Sequence, residues 1–207
     1  MKILCVGHAS YDITIPVDEF IIENTKTRVE EKIECGGGPA ATAAYLLGKW
    51  GMNTTFIGIV GNDEYGKYII DELESVNVDT KYIEVSNNIK TTSSYIIANR
   101  QNGSRTIITH RPKGIKISSV NLDFKPDVIL IDGQEYDLSV SLINKYPNAL
   151  TIMDAGRYNE SNVSLSKMVD YVVCSHEFAE GISNMKFASD NSNIEDIYLK
   201  LKEQYTN

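Results

Sequence analysis

Cysteine is scarce in this 207-residue chain. Cys5, Cys35 and Cys174 stand far apart and make an odd count, which argues against a disulfide framework and any CxxC metal or redox pair. Histidine is equally sparse, and His8, His110 and His176 show no HxxxH-type spacing, so a structural metal is not expected. No apolar run approaches the roughly 18 residues of a membrane span. The opening KILCVG is too short and too thinly charged for a signal peptide, so a cytoplasmic protein without membrane contact is expected. Positive charge is also in deficit: 20 Lys and Arg against 28 Asp and Glu give a net charge of −8. The acids are spread along the chain, which argues against nucleic-acid binding by phosphate neutralisation. There is no internal repeat, low-complexity segment or Pro/Ser-rich linker.

What is present is an ordinary globular composition, 42% hydrophobic and 23% charged, in a chain long enough to bury a sizeable core. Five short apolar runs bounded by Gly, Asp or Asn read as buried strands: 2 to 7, 54 to 61, 127 to 133, 150 to 156 and 171 to 175. Helical patterns separate most of them, so the spacing predicts an α/β protein with a mostly parallel sheet sandwiched by helices. Ala40, Ala43, Ala44 and Leu47 mark one helix, ending at Gly51. Tyr65, Ile69, Leu73 and Val76 mark the next, capped by Asp63. Ile194, Ile197, Leu199 and Leu201 have helical spacing near residue 207. Cys5 and Cys174 fall in strand-like runs and read as buried thiols; Cys35 abuts three glycines and reads as a more reactive one.

A second class of strand is half polar. Segments 13 to 17, 28 to 35, 91 to 99 and 104 to 110 alternate apolar and polar residues, and Asn102-Gly103 is a hairpin signal between the last two. They predict a small antiparallel β lid beside the α/β body, formed by about 12 to 17, 27 to 35 and 90 to 110.

Residues 34 to 51, ECGGGPAATAAYLLGKWG, pose the functional question. A P-loop requires GxxxxGK[ST], and Gly48-Lys49 is followed by Trp50. The dinucleotide pattern GxGxx[GA] is met by Gly36, Gly38 and Ala41, with Asp63 at the ribose-acid distance, but the preceding segment is the charged RVEEKIEC and not a buried strand. A tight turn binding nothing is the plain alternative. A glycine junction between lid and body places bare amides at a cleft mouth, a preferred location for a small ligand.

The chain resembles the PfkB, or ribokinase-like, family of carbohydrate kinases, through KILCVGHASYDITIPV, through CGGGPAATAAYLLGKWGMNTTFIGIVGNDEYGKYIIDELESVNVDTKYI, through NGSRTII and through VDYVVCSHEFAE. The resemblance implies a ribokinase-like fold and ATP- and Mg²⁺-dependent phosphoryl transfer to a sugar hydroxyl. It implies that Asp12, Gly36, Gly37, Gly38, Ala41 and Arg105 contact the sugar. Asp154, Arg157 and Ser175 would lie near the nucleotide phosphates, and Glu177 would organise Mg²⁺ indirectly. Three departures stand out: Ala41 replaces the family's Asn, the NxxE pattern reads Ser175-His176-Glu177-Phe178, and no GxGD motif occurs. The chain is therefore expected to be one incomplete domain, 1 to 207, lacking the nucleotide-binding C-terminal part and inactive alone. Alternatives are a non-catalytic sugar-binding module or a homodimer formed through the lid, a nucleoside kinase using Phe20 and Tyr95 as an aromatic pocket, and a dinucleotide-binding enzyme.

Overall fold

A computed structural model describes residues 1–114, 116–117 and 119–205. In chain order the elements are β1 (Lys2–Val6), β2 (Ser10–Val17), β3 (Ile33–Gly37), α1 (Pro39–Lys49), β4 (Asn53–Ile57), β5 (Ile59–Gly61), α2 (Glu64–Ser75), β6 (Glu84–Ser86), β7 (Ser93–Asn99) and β8 (Arg105–His110). There follow β9 (Val128–Ile131), α3 (Tyr136–Lys145), β10 (Leu150–Ala155), α4 (Glu160–Ser166), β11 (Tyr171–Cys174), α5 (His176–Ser183) and α6 (Ile194–Gln204). The body is a five-stranded sheet in the order β11-β10-β9-β1-β4, parallel throughout.

β1 shows why its sequence is continuously apolar. Leu4 and Val6 enter one core with Ile129, Ile131, Leu142, Met153 and Phe178, while Ile3 and Cys5 enter a second with Ala40, Ala44, Phe56, Ile69 and Leu73. A parallel strand covered on both faces has no solvated side to make polar. From β1 the sheet grows towards β4 in one direction and through β9 to β11 in the other, so strand order reverses between β1 and β9. In open α/β sheets the crevice beyond the carboxyl ends at such a point is where ligands bind.

Gly58 divides the run expected as one strand over 54 to 61. A Cβ there would lie 2.6 Å from the Phe56 ring and 3.0 Å from the Gly7 carbonyl oxygen. The chain bends at that point, and β5 leaves the body to pair with β6. Asp63 caps α2, accepting from the Gly66 N–H at 3.0 Å, and its carboxylate also takes the Thr91 N–H and hydroxyl.

The half-polar segments form a separate four-stranded sheet in the order β3-β2-β7-β8. Its two outer pairings are antiparallel and the central one, β2 with β7, is parallel. Residues 28 to 32 lie outside it: the strand expected from Arg28 begins only at Ile33, because 28 to 32 are exposed and have no strand to pair with. The Asn102-Gly103 turn joins β7 to β8 with Gly103 at φ 71°.

The α1/α2 side of the body is covered over β4 and β1, and the cover reaches Val128 and Leu130 of β9. On β10 and β11, Leu150, Tyr171 and Val173 are 42%, 59% and 63% exposed. Cys174 is likewise exposed, contrary to its expected burial, because β11 is an edge strand. In α6 only Ile197 is buried, with Leu201 packed beside the core; Ile194 and Leu199 face outwards. No described helix is long and apolar enough to cross a membrane.

Candidate functional site

The three glycines are not a free loop. Gly36 and Gly37 end β3, opposite Tyr11 and Ser10 of β2, and Gly38, at φ 93°, is the N-cap of α1. Each position has its Cβ space taken by another group. A Cβ on Gly36 would lie 2.1 Å from the Glu72 carboxylate, on Gly37 2.0 Å from Asp12 Oδ2, and on Gly38 2.3 Å from the His8 carbonyl oxygen. The segment is glycine because main chain and acids approach it from three sides.

The first turn of α1 spends its donors internally. Pro39 has no N–H, Ala40 N–H donates to Asp132 Oδ2 at 3.2 Å, and Ala41 N–H donates to the His8 carbonyl at 3.4 Å. Asp132, just past the end of β9, also accepts from the N–H groups of His8 at 2.7 Å and Gln134 at 3.0 Å. A carboxylate of the protein itself thus occupies the place where a helix N-terminus would otherwise hold a ligand anion. This overturns the dinucleotide alternative. The strand before the glycines lies at the edge of the second sheet, Asp63 is committed to α2 and Thr91, and no pyrophosphate-binding turn remains.

Asp12 meets this junction from β2. Its Oδ1 accepts from the Ser10 hydroxyl at 2.7 Å, it is half-buried, and its neighbours across the sheet are Cys35 and Ser94. Ala41 is buried beneath the junction. Arg105 is not brought to it: the register Asp12–Ser94–Thr109 puts Arg105 four residues further along β8, about 13 Å at strand rise, and exposed. Tyr95 pairs with Ile13 and so projects from the face opposite to Asp12, while Phe20 lines a separate cavity formed by residues 16 to 31 and Arg100. The aromatic pocket they were expected to form is not assembled.

At the carboxyl edge of β10 and β11, Asp154 lies opposite Val173 and Ser175 follows two residues beyond, its N–H meeting the Ala155 carbonyl. The Ser175 hydroxyl caps α5, accepting from the Phe178 N–H at 3.1 Å and donating to the Gly156 carbonyl. Arg157 is exposed in the loop after β10, and Glu177 is exposed in the first turn of α5. Among the described residues no group of three or more His, Cys, Asp or Glu could hold a metal. The described residues therefore do not build a direct Mg²⁺ cage.

The electrostatics centre on the crevice. Burial lowers the His8 pKa to about 4, aided by Arg111, so its imidazole is neutral. Burial raises Asp132, against its three N–H donors, and raises Asp154. Glu135 is pushed up to about 6 by burial. The Arg111 guanidinium hydrogen-bonds the Gln134 side chain among these acids. Cys35 is not activated: burial and the charges of Asp12 and Glu72 raise its pKa. Asp132, Glu135, Arg111 and Glu72 were missed in the sequence. Asp132 had a signal, an acid closing the apolar run VILI before a glycine; Glu72, which accepts the Gly36 N–H at 2.8 Å from the middle of α2, had none.

Comparison with known proteins agrees with this geometry. A family model described as "pfkB family carbohydrate kinase" matches residues 1–150. The ribokinase of Staphylococcus aureus is 23% identical over 201 residues, covering 92% of this chain and 66% of that protein. A protein of Agrobacterium tumefaciens, provisionally named a ribokinase, superposes with a TM-score of 0.82 at 22% identity, covering 98% of this chain and 67% of that one. Arabidopsis thaliana ribokinase, solved with ribose and ATP, gives 0.71 at 17% identity, covering 98% and 68%. The chain spans about two thirds or less of the length of the curated relatives it matches. With the α/β body, the separate β sheet and the glycine junction all in place, the match over residues 1–150 decides the matter: the chain belongs to the PfkB family of carbohydrate kinases.

Proposed function

We propose that these residues form the acceptor-binding part of an ATP-dependent sugar kinase, which transfers a phosphoryl group from ATP to a sugar hydroxyl. The observation that carries the reading is the convergence of Asp12 on Gly37, with a Cβ-to-Oδ2 separation that only glycine permits. A carboxylate accepts two hydroxyl protons at once, and a bare main chain beside it lets a polyol approach closely. Ser10 holds the carboxylate by one oxygen and leaves the other towards the glycine segment. The β3-β2-β7-β8 sheet acts as the lid, covering the sugar and excluding water from the transfer.

ATP supplies the phosphoryl group when bound. Asp154, Arg157 and Ser175, on the same edge of the body, are proposed to face its phosphates, with Glu177 ordering Mg²⁺ through water. Positioning and charge stabilisation dominate this chemistry, and the sugar hydroxyl also needs a proton acceptor. The family's GxGD segment, which carries it, does not occur in these residues, so the activity is proposed for the protein with that segment. The protein is proposed to work in the cytoplasm and to pair through the lid sheet. A coupled ADP-release assay with Mg-ATP against pentoses, hexoses, ketoses and nucleosides tests the reading; turnover with at least one is expected, and none with any would refute it.

A further inference from the structure

We infer that the acceptor is an uncharged polyol and that this site refuses sugars already carrying a phosphate. The inference rests on the sugar-kinase reading and narrows it. At the α1 junction, Pro39 offers no donor, Ala40 N–H is held by Asp132 and Ala41 N–H by the His8 carbonyl. Gly36 N–H is held by Glu72. Three amides of the junction, those of Gly36, Ala40 and Ala41, are therefore already paired with groups of the protein, two of them acids.

The charges around the crevice point the same way. Asp12, Asp132 and Glu135 approach it from β2 and the end of β9, and the Arg111 guanidinium beside them is turned onto Gln134. Arg157 stands with Asp154 after β10, on the side proposed for the nucleotide. Lys90 and His110 line a different cavity of about 440 Å³ with Asp63 and Tyr65. His110 lies in the Ser93 row of the sheet, alternate to that of Asp12. A dianionic phosphate entering the crevice would lose its hydration and meet acids beside amides whose protons are already donated, which is how a site discriminates against a charged analogue. A neutral polyol can donate its hydroxyl protons to Asp12, one oxygen of which is left by Ser10.

The test is calorimetric titration of the full-length protein with three pairs: D-ribose and D-ribose 5-phosphate, D-fructose and D-fructose 6-phosphate, adenosine and adenosine 5′-monophosphate. The expected result is that at least one free compound binds tenfold or more tighter than its own phosphate ester. In Asp132→Asn, whose amide oxygen can keep the His8 and Ala40 bonds, that gap narrows threefold or more. Esters that bind as tightly as the free compounds, or more tightly, overturn the inference and leave the kinase reading standing as a sugar-phosphate kinase. A free compound that binds but is never phosphorylated from Mg-ATP sinks the kinase reading and leaves the inference intact. The wild-type comparison decides the question whether or not the variant folds.

Discussion

Gly37→Ala tests the geometry on which the acceptor site is built. The new methyl would sit 2.0 Å from Asp12 Oδ2 and 2.4 Å from its Cγ. Ordinary contact begins near about 3.5 Å, so the carboxylate must withdraw by about 1.5 Å. Withdrawal breaks the 2.7 Å bond from the Ser10 hydroxyl. The lost bond costs about 1 kcal/mol and an off-rotamer Asp12 about another 1 kcal/mol, partly offset by the smaller chain entropy of Ala. The net loss is about 1–2 kcal/mol, or about 3–6 °C in melting temperature for a chain of this size. Function should suffer far more: displacing a positioning group by about 1 Å costs about 100-fold in kcat/KM for the sugar. Gly51→Ala is the matched control. Gly51 has φ 75° with nothing within 4 Å, so Ala there costs a similar stability through left-handed strain and leaves sugar turnover unchanged. Paired thermal melts and steady-state kinetics decide the matter. If Gly37→Ala and Gly51→Ala lose stability alike and both retain turnover, Asp12 and Gly37 do not hold the sugar.

Asp63→Ala removes the α2 cap and orphans the Thr91 N–H; urea unfolding should show a loss of about 2–3 kcal/mol. Because Thr91 and Gly66 hold the Asp63 pKa down against burial, its contribution is present above the unfolded carboxylate range and fades as pH falls through the folded value, so the wild-type excess over Asp63→Ala should shrink in acid. Glu72→Ala leaves the Gly36 N–H without its acceptor and should raise KM more than it lowers kcat, whereas Glu72→Gln, which keeps an acceptor oxygen, should recover most of the loss. His8, with its pKa lowered to about 4, binds fewer protons folded than unfolded between about pH 4 and 6.5. Stability should fall as pH drops through that window, and His8→Gln should flatten this limb of the unfolding free energy against pH.

The body was legible because its strands are apolar on both faces and its helices carry one stripe each; β1, β9 and α2 follow directly from that patterning. Gly58 was not, since its demand comes from how the Phe56 ring, two residues before it, folds over it and from the Gly7 carbonyl, which is distant in sequence. Residues 28 to 32 alternate like a strand yet are exposed and pair with no strand, and alternation alone cannot tell the two apart. The positions of Asp12 and the glycines were legible from motif and spacing. What lies behind them was not: Asp132 and Glu72 arrive from β9 and α2, far along the chain, and the pairing of each with an amide exists only once the sheet is formed.

The parallel pairing of β2 with β7 sets the order in which the molecule can assemble. Asp12 meets Ser94 only after everything between them has been compacted, and no hairpin links the two strands. Closing so long a loop costs entropy before any ladder bond repays it. The β9-α3-β10 units can condense from neighbouring segments, so the body should be present in the folding transition state and the sugar-covering sheet should arrive after it. Mutations in β7 should then accelerate unfolding while leaving the refolding rate nearly untouched.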